Sequence, residues 1–544
     1  MSAQTGVASL PPPPPSVRGV RRLRAHWDRL FTDPNPVWLR EMRQAARLPR
    51  TPVILATLTA MVTLLICSVG GVAAVSAEPA KVGIGLFHTF FTLAFAVVTW
   101  VGPAVAASTI ASERSGRTWE ALELTGLGAA RIARGKFLAA LTYISLYIVM
   151  LAPVGALPFL FGGVTATEIV LAFLLLGVFA VLSVAFGLAM SSKFSSPTMA
   201  ILITLCVASS TSLALYLGGG LGLSYAAHEL WPGVSGGPPV WLPGAYVRAD
   251  FGLEYLAFLV LAPLALTAVP AWLFYEITIA NMAAPSDDRS SRLRVWTLVS
   301  GPILTATAIL PGLATAELGW FVVGAMLIFT FYLFAAFLVT GEPLGPSHRV
   351  EVHWQRQNAG VLRRYLGPGV LKGASLLLWL GSGSLLALLG AGALVLRGAE
   401  AQGLAALGSY ALCFLVFVVG FGAWARARSN GAAVPRVLLL VALFLAVVGP
   451  WIVMAMAGIF ATSNEASVMA APSPAYAFFM LNALTQASHD QRVILAAGLT
   501  SALAWGLLGI GLLLMALGRT KRRVREERTL REALESPAAQ PAPP

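Results

Sequence analysis

The sequence predicts an all-α protein that crosses a membrane about twelve times, as two groups of six helices, with both termini in the cytoplasm. Of its 544 residues, 57% are hydrophobic and only 11% are charged, whereas a soluble protein carries about 25% charged residues. Apolar runs as long as the roughly 20 residues that span a bilayer recur along the chain. The net charge of +13 is explained by Lys and Arg retained on the cytoplasmic side, without nucleic-acid binding.

The distribution of basic residues tests the number of spans. Of the 37 Lys and Arg residues, four fall in the predicted external segments, namely Lys81, Arg248, Arg397 and Arg492. A missed or invented span would exchange the cytoplasmic and external sides of every later segment and so remove this asymmetry. The asymmetry therefore favours twelve spans with both termini inside. The predicted spans are 52–76, 84–111, 136–162, 166–191, 198–222, 254–281, 297–315, 318–340, 372–396, 404–424, 436–461 and 492–518.

The N-terminal region divides into a tail and a short amphipathic helix. Residues 1–33 are rich in proline and then in arginine, which is typical of a disordered cytosolic tail. In the segment 35–50, Asn35 suits the N-cap and Pro36 suits the first helical position. Basic residues and a tryptophan fall on opposite sides of this helix, so we expect it to lie in the membrane interface. The residues of this predicted interface helix are Trp38, Arg40, Arg43, Arg47 and Arg50.

A short polar element lies between the second and third predicted spans. It reads ERSGRTWEALELTG over residues 113–126. Thr118 can cap a helix that begins at Trp119, and Glu120 lies where the helix dipole favours negative charge. Gly126 suits the position just after the end of this helix. We therefore predict a short cytoplasmic helix between two spans.

The two groups of six spans follow the same plan. Each has a long cytoplasmic loop after its second span (113–135 and 341–371) and a long external loop after its fifth (223–253 and 462–491). Parallel repeats of this kind occur in transporters, and the alternative is an unrelated helical extension. The predicted membrane domains are 34–281 and 282–518, and residues 519–544 form a basic and then Pro/Ala-rich cytosolic tail.

Little in the sequence would support catalysis. The Gly135-Lys136 pair lacks the glycine spacing of a phosphate-binding loop, and no cluster has the composition of a metal site. We therefore predict neither catalytic nor metal-binding residues.

Glu276, near the cytoplasmic end of the sixth span, is the clearest candidate for a polar site within the membrane. Pairing with a nearby basic residue is the alternative.

Two segments together resemble a known family. The first is NPVWLREMR, and the second, two spans later, is GPAVAASTIASERSGRTWEALELTGLGAARIARGKFLAAL. They resemble the permeases of ABC transporters of type 2, in the branch grouped with multicopper-enzyme maturation. Glu123 departs from the pattern by interrupting an apolar stretch, and Gly126 replaces the usual proline. The resemblance assigns to the coupling element the residues Glu113, Arg114, Gly116, Thr118, Glu120, Leu122, Glu123 and Leu127.

The resemblance implies that 35–50 is a connecting helix and that 113–126 is a coupling helix on which a separate cytosolic ATPase docks. The chain would then hold no cofactor itself, since the ATPase binds ATP and Mg, and it would export a substrate across the cell membrane. The second six spans lack the coupling motif. They are therefore either a degenerate second permease domain, which makes an internal pseudo-dimer, or an accessory domain within a homodimer.

Two other functions are compatible with the same sequence. One is a twelve-span secondary carrier driven by an ion gradient, although no set of acidic residues lies near mid-membrane. The other is a membrane scaffold that transports nothing. The sequence identifies no substrate, because no charged pocket or aromatic cage stands out in it. In each case we expect contact with the lipid bilayer and no enzymatic activity in this chain.

Overall fold

The chain is helical over nearly all the residues that a computed structural model describes, which are 34–47, 50–76, 78–231, 243–284, 286–457, 468–485 and 491–535. No β-strand occurs in these ranges. Two π-helical stretches also occur, Leu215–Gly220 and Tyr255–Leu261. The α-helices are α1 (Pro36–Arg47), α2 (Arg50–Ser76), α3 (Pro79–Ser115), α4 (Trp119–Leu124), α5 (Ala129–Gly155), α6 (Leu157–Phe161), α7 (Ala166–Lys193), α8 (Pro197–Ala214), α9 (Leu221–Leu230), α10 (Pro243–Arg248), α11 (Ala262–Met282), α12 (Ser290–Thr315), α13 (Leu318–Thr340), α14 (His348–Arg356), α15 (Val361–Tyr365), α16 (Val370–Val395), α17 (Gly398–Arg428), α18 (Ala433–Ala457), α19 (Tyr476–Thr485) and α20 (Gln491–Glu535).

Within the described ranges, eleven helical stretches are long and apolar enough to cross a membrane. This is the architecture of a multi-pass helical membrane protein, as the sequence predicts. At the predicted first span, α2 forms a helix, but its described apolar part covers only Ala56–Val72. The total of twelve spans and the cytoplasmic position of the termini therefore stay predictions. The predicted tail 1–33 lies outside the described residues.

Two helices continue past their predicted ends. The fifth predicted span runs through a π-helical stretch to Leu230, although we expected an external loop from residue 223. The last helix, α20, continues to Glu535, so most of the basic segment predicted as a tail is helical. The helical segment after 518 is rich in Arg and Glu, which are strong helix formers. Such a sequence extends a helix beyond the apolar part that would lie in the bilayer.

Buried side chains form two main clusters, one in each half of the chain. The first draws on α1–α5 and α7 and includes Phe90 and Leu176. The second draws on α11–α13 and α16–α20 and includes Tyr410. Helix α11 belongs to both, since Leu273 packs in the second cluster and Ile279 in the first. Each half therefore buries a core of its own, and α11 connects the two.

Glycine residues permit two of the closest contacts between helices. A Cβ on Gly187 of α7 would lie 2.2 Å from the carbonyl oxygen of Pro103 in α3. A Cβ on Gly420 of α17 would lie 2.2 Å from the carbonyl oxygen of Gly509 in α20. Small residues allow backbones to approach closely, which matters in a bilayer because helix association there depends on packing.

The same pairs of helices pack together in each half. The six long helices are α2, α3, α5, α7, α8 and α11 in the first half, and α12, α13, α16, α17, α18 and α20 in the second. In each half the fourth helix packs against the second, third, fifth and sixth, and the first packs against the second and third. A short helix that precedes the sixth also lies on the fourth, as α10 on α7 and α19 on α17.

The stretch 113–126 lies at one end of the bundle, which we call the Glu113 end. There Asn281 of α11 donates a hydrogen bond of 2.9 Å to the hydroxyl of Ser192, at the end of α7. The hydroxyl of Ser347 donates at 2.7 Å to the carbonyl of Ser286. The loop that holds Ser347 also approaches the C-terminal part of α20. The basic segments of both halves therefore gather at the same end.

Candidate functional site

Helix α1 lies across the start of α5, close to the Glu113 end. Asn35 caps α1, since its Oδ1 accepts the N–H of Val37 at 3.0 Å, and its Nδ2 donates to the carbonyl of Arg131 at 2.8 Å. Gly135 permits this approach, because a Cβ there would lie 2.6 Å from Asn35 Oδ1 and from Val37 Cβ. The predicted cap at Asn35 is confirmed, and the same residue also fastens α1 to α5.

Four charged side chains meet beneath the 113–126 stretch, and we call Arg40, Glu41, Glu113 and Lys136 the loop-base cluster. Lys136 is 1% exposed, and its Nζ lies 3.0 Å from Glu113 Oε2 and 3.2 Å from Glu41 Oε1. The same Nζ donates to the carbonyl of Thr109 at 3.2 Å. Arg40 contacts Glu113 and lies 3.0 Å from Glu41 Oε1. Two positive and two negative charges are thus balanced where α1, α3 and α5 meet.

Glu41 and Arg40 are held in the ionised form by their neighbours. Burial acts to raise the pKa of Glu41, but Lys136 and Arg40 outweigh it, so the pKa lies below its ordinary value. Burial also acts to lower the pKa of Arg40, whereas hydrogen bonds to Glu41 and Glu113 raise this pKa above its ordinary value. A buried charge that loses its partner is strongly destabilising. Lys136 therefore depends on both carboxylates, and the three helices are tied together through it.

The chain reverses direction just beyond Glu113. The N–H of Gly116 bonds to the carbonyl of Ser112 at 2.9 Å, and the N–H of Thr118 bonds to the carbonyl of Glu113 at 3.0 Å. The hydroxyl of Thr118 donates to the same Glu113 oxygen at 3.3 Å. Gly126 makes the second reversal, after α4, with a φ of 72°. A left-handed residue after a helix end favours glycine, so the prediction for Gly126 is confirmed.

Helix α4 has an inner and an outer face. Leu122 is 6% exposed, and Trp119 and Leu127 pack beside it against the core of the first half. Glu120 and Leu124 lie on the exposed side, where Leu124 is 88% exposed. The outer face therefore offers an apolar side chain and an acidic one to a partner, while the inner face anchors the helix.

Arg114 links the turn before α4 to more distant helices. Its Nη1 donates to the carbonyl of Ser192, at the end of α7, at 2.6 Å. Its guanidinium carbon lies 5.4 Å from the centre of the Trp119 ring, within the range of a cation–π contact. The Ser192 hydroxyl accepts the hydrogen bond from Asn281 of α11. With the loop-base cluster, these contacts tie the base of α4 to five helices: α1, α3, α5, α7 and α11.

The residues predicted for the coupling element take different positions. Glu113, Arg114, Gly116 and Thr118 form the base and first turn of the loop, and Glu120 lies exposed on α4. The side chain of Glu123 lies outside the described residues. So does the side chain of Arg50, which was predicted for the interface helix but begins α2.

The residues predicted for the interface helix also lie in different environments. Arg43 and Arg47 are exposed on α1, and Trp38 Nε1 donates to the hydroxyl of Thr142 at 3.2 Å. Arg40 belongs to the loop-base cluster, so part of the predicted basic face is engaged with carboxylates of the protein.

Glu41 and Lys136 lie in the segments that carry the family resemblance, but sequence reasoning assigned neither residue to a site. A lysine at the start of a span is expected on the cytoplasmic side for topological reasons alone. The available signal was a charge at the start of an apolar run and directly after a glycine, since a charge buried at such a place needs a partner.

Glu276 forms a separate ion pair. It is 7% exposed, its Oε2 lies 3.3 Å from Arg292 Nη1, and its Oε1 accepts from Trp272 Nε1 at 3.1 Å. This is the pairing with a nearby basic residue that the sequence left open as the alternative. It joins α11 to α12 across the boundary between the two halves.

The second half has a buried ion pair at the corresponding place. Glu342 follows α13, the second long helix of this half, and its Oε1 lies 3.3 Å from Nε of Arg294 in α12. Arg294 also donates to the carbonyls of Tyr365 at 3.1 Å and Gly369 at 2.7 Å. The loop 341–369 is therefore also fixed at its base by a carboxylate and a buried basic residue.

Comparison with known proteins finds no matching family model, no matching curated protein and no matching solved structure. In the part of the chain that the structure describes, no three His, Cys, Asp or Glu side chains gather as a metal site would require. The geometry itself defines a short outward-facing helix whose base is fixed to the long helices by buried charges.

Proposed function

We propose that this chain is the membrane-spanning permease subunit of an ATP-binding-cassette transporter, placed in the cell membrane with both termini in the cytoplasm. The 113–126 stretch is then the coupling element on which a separate cytosolic ATPase docks. The observation that carries the proposal is the exposed outer face of α4 on a base tied to five helices. An element that transmits movement needs both a free face and a continuous physical connection. The ATPase would supply ATP and Mg, and the family resemblance favours export.

In this mechanism the ATPase acts on the spans through the loop-base cluster. Movement of α4 displaces Glu113 at the end of α3, and Lys136 carries the displacement to α5. Arg40 and Glu41 carry it to α1. Packed helices shift as rigid bodies with few discrete arrangements, so the ends of α3 and α5 would move together. Glu113 has a largely buried side chain, 12% exposed, so Glu120 and Leu124 are the residues assigned to the contact with the ATPase.

The shared arrangement of helices supports an internal pseudo-dimer over a homodimer. The second half places its loop 341–369 at the same end of the bundle, and α15 leaves Val361 86% and Leu362 67% exposed. We assign this tip to a second copy of the ATPase. An internal pseudo-dimer would then form a complex of one chain with two ATPases, whereas a homodimer would contain two chains. Native mass spectrometry of the purified complex distinguishes these compositions.

The coupling assignment is tested by replacing Leu124 with aspartate. The variant is co-expressed with an ABC ATPase of the same genome, and both ATPase capture and ATP hydrolysis in vesicles are measured. We expect Leu124→Asp to lower both at least tenfold without affecting insertion, since the side chain is exposed. The matched control is Phe251→Asp, which changes an 85% exposed residue toward the opposite end of the bundle and should behave like the wild type.

Three outcomes would replace the proposal. Undiminished capture and turnover with Leu124→Asp would show that α4 is not the coupling element. Uptake driven by an ion gradient, by the purified chain without an ATPase, would establish a secondary carrier. Partner binding that never stimulates ATP hydrolysis would establish a scaffold.

A further inference from the structure

A cavity of about 600 Å³ lies between α1, α2, α3 and α5, beside the loop-base cluster. Its volume falls within the roughly 300–1,000 Å³ of small-molecule sites in proteins. It is partly open to the surface, and its lining changes in character along its length. Toward the Glu113 end the lining is polar, and away from it the lining is apolar.

The polar part of the lining includes three small hydroxyl side chains on α3, beside Gln44 and the charged residues of the loop-base cluster. Ser108 and Thr109 donate to carbonyls of their own helix, Val105 at 2.9 Å and Ala106 at 2.8 Å. Ser112 donates in the same way to the carbonyl of Thr109 at 3.2 Å. A hydroxyl that donates to its own backbone still has oxygen lone pairs to accept a hydrogen bond. This wall therefore suits a ligand group that donates hydrogen bonds, such as a hydroxyl.

The apolar part of the lining suits a hydrocarbon chain. Leu58 of α2 and Val97, Val98 and Val101 of α3 line it, with Ile144 of α5 opposite. None of these side chains carries a polar atom, so a hydrocarbon chain could contact all of them without leaving a polar group unsatisfied. The polar and apolar parts together match an amphiphile.

Tyr147 supplies the observation that points to a bound molecule. Its side chain lines the cavity and is 2% exposed, and its hydroxyl has no hydrogen-bond partner among the described residues. Buried polar groups are nearly always paired, and an unpaired one costs about 1–3 kcal/mol. Tyr147 lies about one helical turn from Tyr143, which is also in the lining. The hydroxyl itself is enclosed, so a rotation of the side chain would bring it against a polar linkage between the head and the chain of an amphiphile.

The charges at the mouth select against a charged ligand. Arg40, Glu41 and Glu113 line it, and each is already paired within the loop-base cluster. With Lys136, the cluster has no net charge. A charged head would therefore give up its hydration without an excess of opposite charge to replace it.

We infer that this cavity binds one neutral amphiphile with a hydroxyl-bearing head, a polar linkage and a single hydrocarbon chain. The head lies against Ser108, Thr109 and Ser112, the linkage bonds to Tyr147, and the chain lies along α3. The molecule is either a lipid drawn from the bilayer or a transported substrate. Both sources share this chemistry.

The test uses a monoacylglycerol with a photoreactive diazirine in its acyl chain, incorporated into phosphatidylcholine vesicles that contain the full chain. Labelled peptides are mapped by mass spectrometry. We expect labelling of α3 and α5 around Val101 and Ile144, at least fivefold above two analogues with the same acyl chain. One analogue carries a phosphate head and the other a choline head. Equal labelling by the charged analogues would overturn the inference.

Two variants locate the site and one controls for folding. Val101→Trp fills the cavity and should reduce labelling at least fivefold, whereas Val149→Trp, at a 66% exposed position of α5, should not. Tyr147→Phe removes only the hydroxyl and should weaken labelling by roughly threefold to tenfold, as expected for one hydrogen bond. Labelling of Val101→Trp at the wild-type level would place the amphiphile elsewhere and refute the site.

A last measurement identifies the occupant, and it alone rests on the proposed function. Vesicles that also contain the ATPase are labelled with and without ATP. Loss of label during turnover identifies a transported substrate, and unchanged label identifies a bound lipid, and both results support the site. Specific labelling in a chain that no ATPase engages would reject the proposed transport function while leaving the cavity assignment intact.

Discussion

Replacement of Lys136 by methionine tests whether the loop-base cluster holds the 113–126 stretch in place. Methionine matches the length and apolar stem of lysine but removes the charge. Glu113 and Glu41, whose side chains are 12% and 21% exposed, would lose their shared partner. Arg40 would remain as the single basic residue between two partly buried carboxylates.

The expected cost follows from this geometry. Removal of one partner from a buried ion pair costs about 3–5 kcal/mol. Arg40 still neutralises one carboxylate, so we expect the lower limit, about 3 kcal/mol. Since about 1.4 kcal/mol corresponds to a tenfold change in an equilibrium, local opening of the loop should become roughly a hundredfold more frequent.

Hydrogen exchange measured by mass spectrometry reports this local opening directly. Peptides that cover 109–127 should exchange much faster in Lys136→Met, whereas peptides from the second half should not change. The matched control is Lys81→Met, because Lys81 pairs with Glu78 at 3.1 Å but both side chains are more than 70% exposed. An exposed pair contributes little, so exchange there should change by less than about threefold.

A double variant separates charge from packing. Lys136→Met together with Glu113→Gln leaves the Arg40–Glu41 pair at 3.0 Å intact and removes one charge of each sign. Protection of 109–127 should therefore recover by at least tenfold relative to Lys136→Met. If Lys136→Met protects 109–127 as well as the wild type, or if the double variant is no better than the single one, buried charge does not hold the loop.

Three further predictions concern the same region. Gly126→Ala forces a non-glycine residue into a φ of 72° and should destabilise α4 by about 1 kcal/mol, measured by the same exchange of 109–127. Gly128→Ala has open space at its Cβ, so it should leave the exchange of 109–127 unchanged and affect only the start of α5, whose N-cap is Gly128. Gly135→Ala places a Cβ 2.6 Å from that of Val37, so it should loosen α1, measured as increased exchange of 36–47. Glu41 has a lowered pKa, so the stabilisation it provides is present above its ordinary pKa of about 4.5 and is lost as the pH falls through the lower, folded-state value. The melting-temperature difference between wild type and Glu41→Gln should therefore stay constant from pH 7 to about 5 and shrink only at lower pH.

The helical membrane architecture could be read from the sequence because a bilayer leaves the backbone little choice. Apolar runs longer than the hydrocarbon core must satisfy their own hydrogen bonds, and a helix does so within one segment. The helix cap at Asn35 and the turn at Gly126 could also be predicted, since each depends only on the backbone of neighbouring residues. Helix ends such as Leu230 were harder to predict, because an apolar run marks where a helix enters a bilayer and not where the helix ends.

The loop-base cluster could not be read in the same way, because its members come from three separate segments. Each charge has a simple local interpretation: Arg40 as a head-group contact, Glu113 as a docking residue and Lys136 as a topological signal. Their common function depends on the crossing of α1 over α5, which the small size of Gly135 permits. Such a contact is set by three-dimensional packing, and a single sequence has no periodicity that reveals it.

Glu113 belongs both to the loop-base cluster and to the lining of the amphiphile cavity. If the ATPase moves α4, it moves a wall of that cavity, so docking and amphiphile binding should be coupled. Coupling between two sites is reciprocal in free energy. The factor by which the docked ATPase changes the affinity for monoacylglycerol must therefore equal the factor by which monoacylglycerol changes the affinity for the ATPase. Titrations of each ligand with and without the other measure both factors. If neither ligand changes the affinity for the other, so that both factors equal one, the cavity and α4 act independently. If the two factors are equal but differ from one, and both return to one in Lys136→Met, the coupling runs through the loop-base cluster.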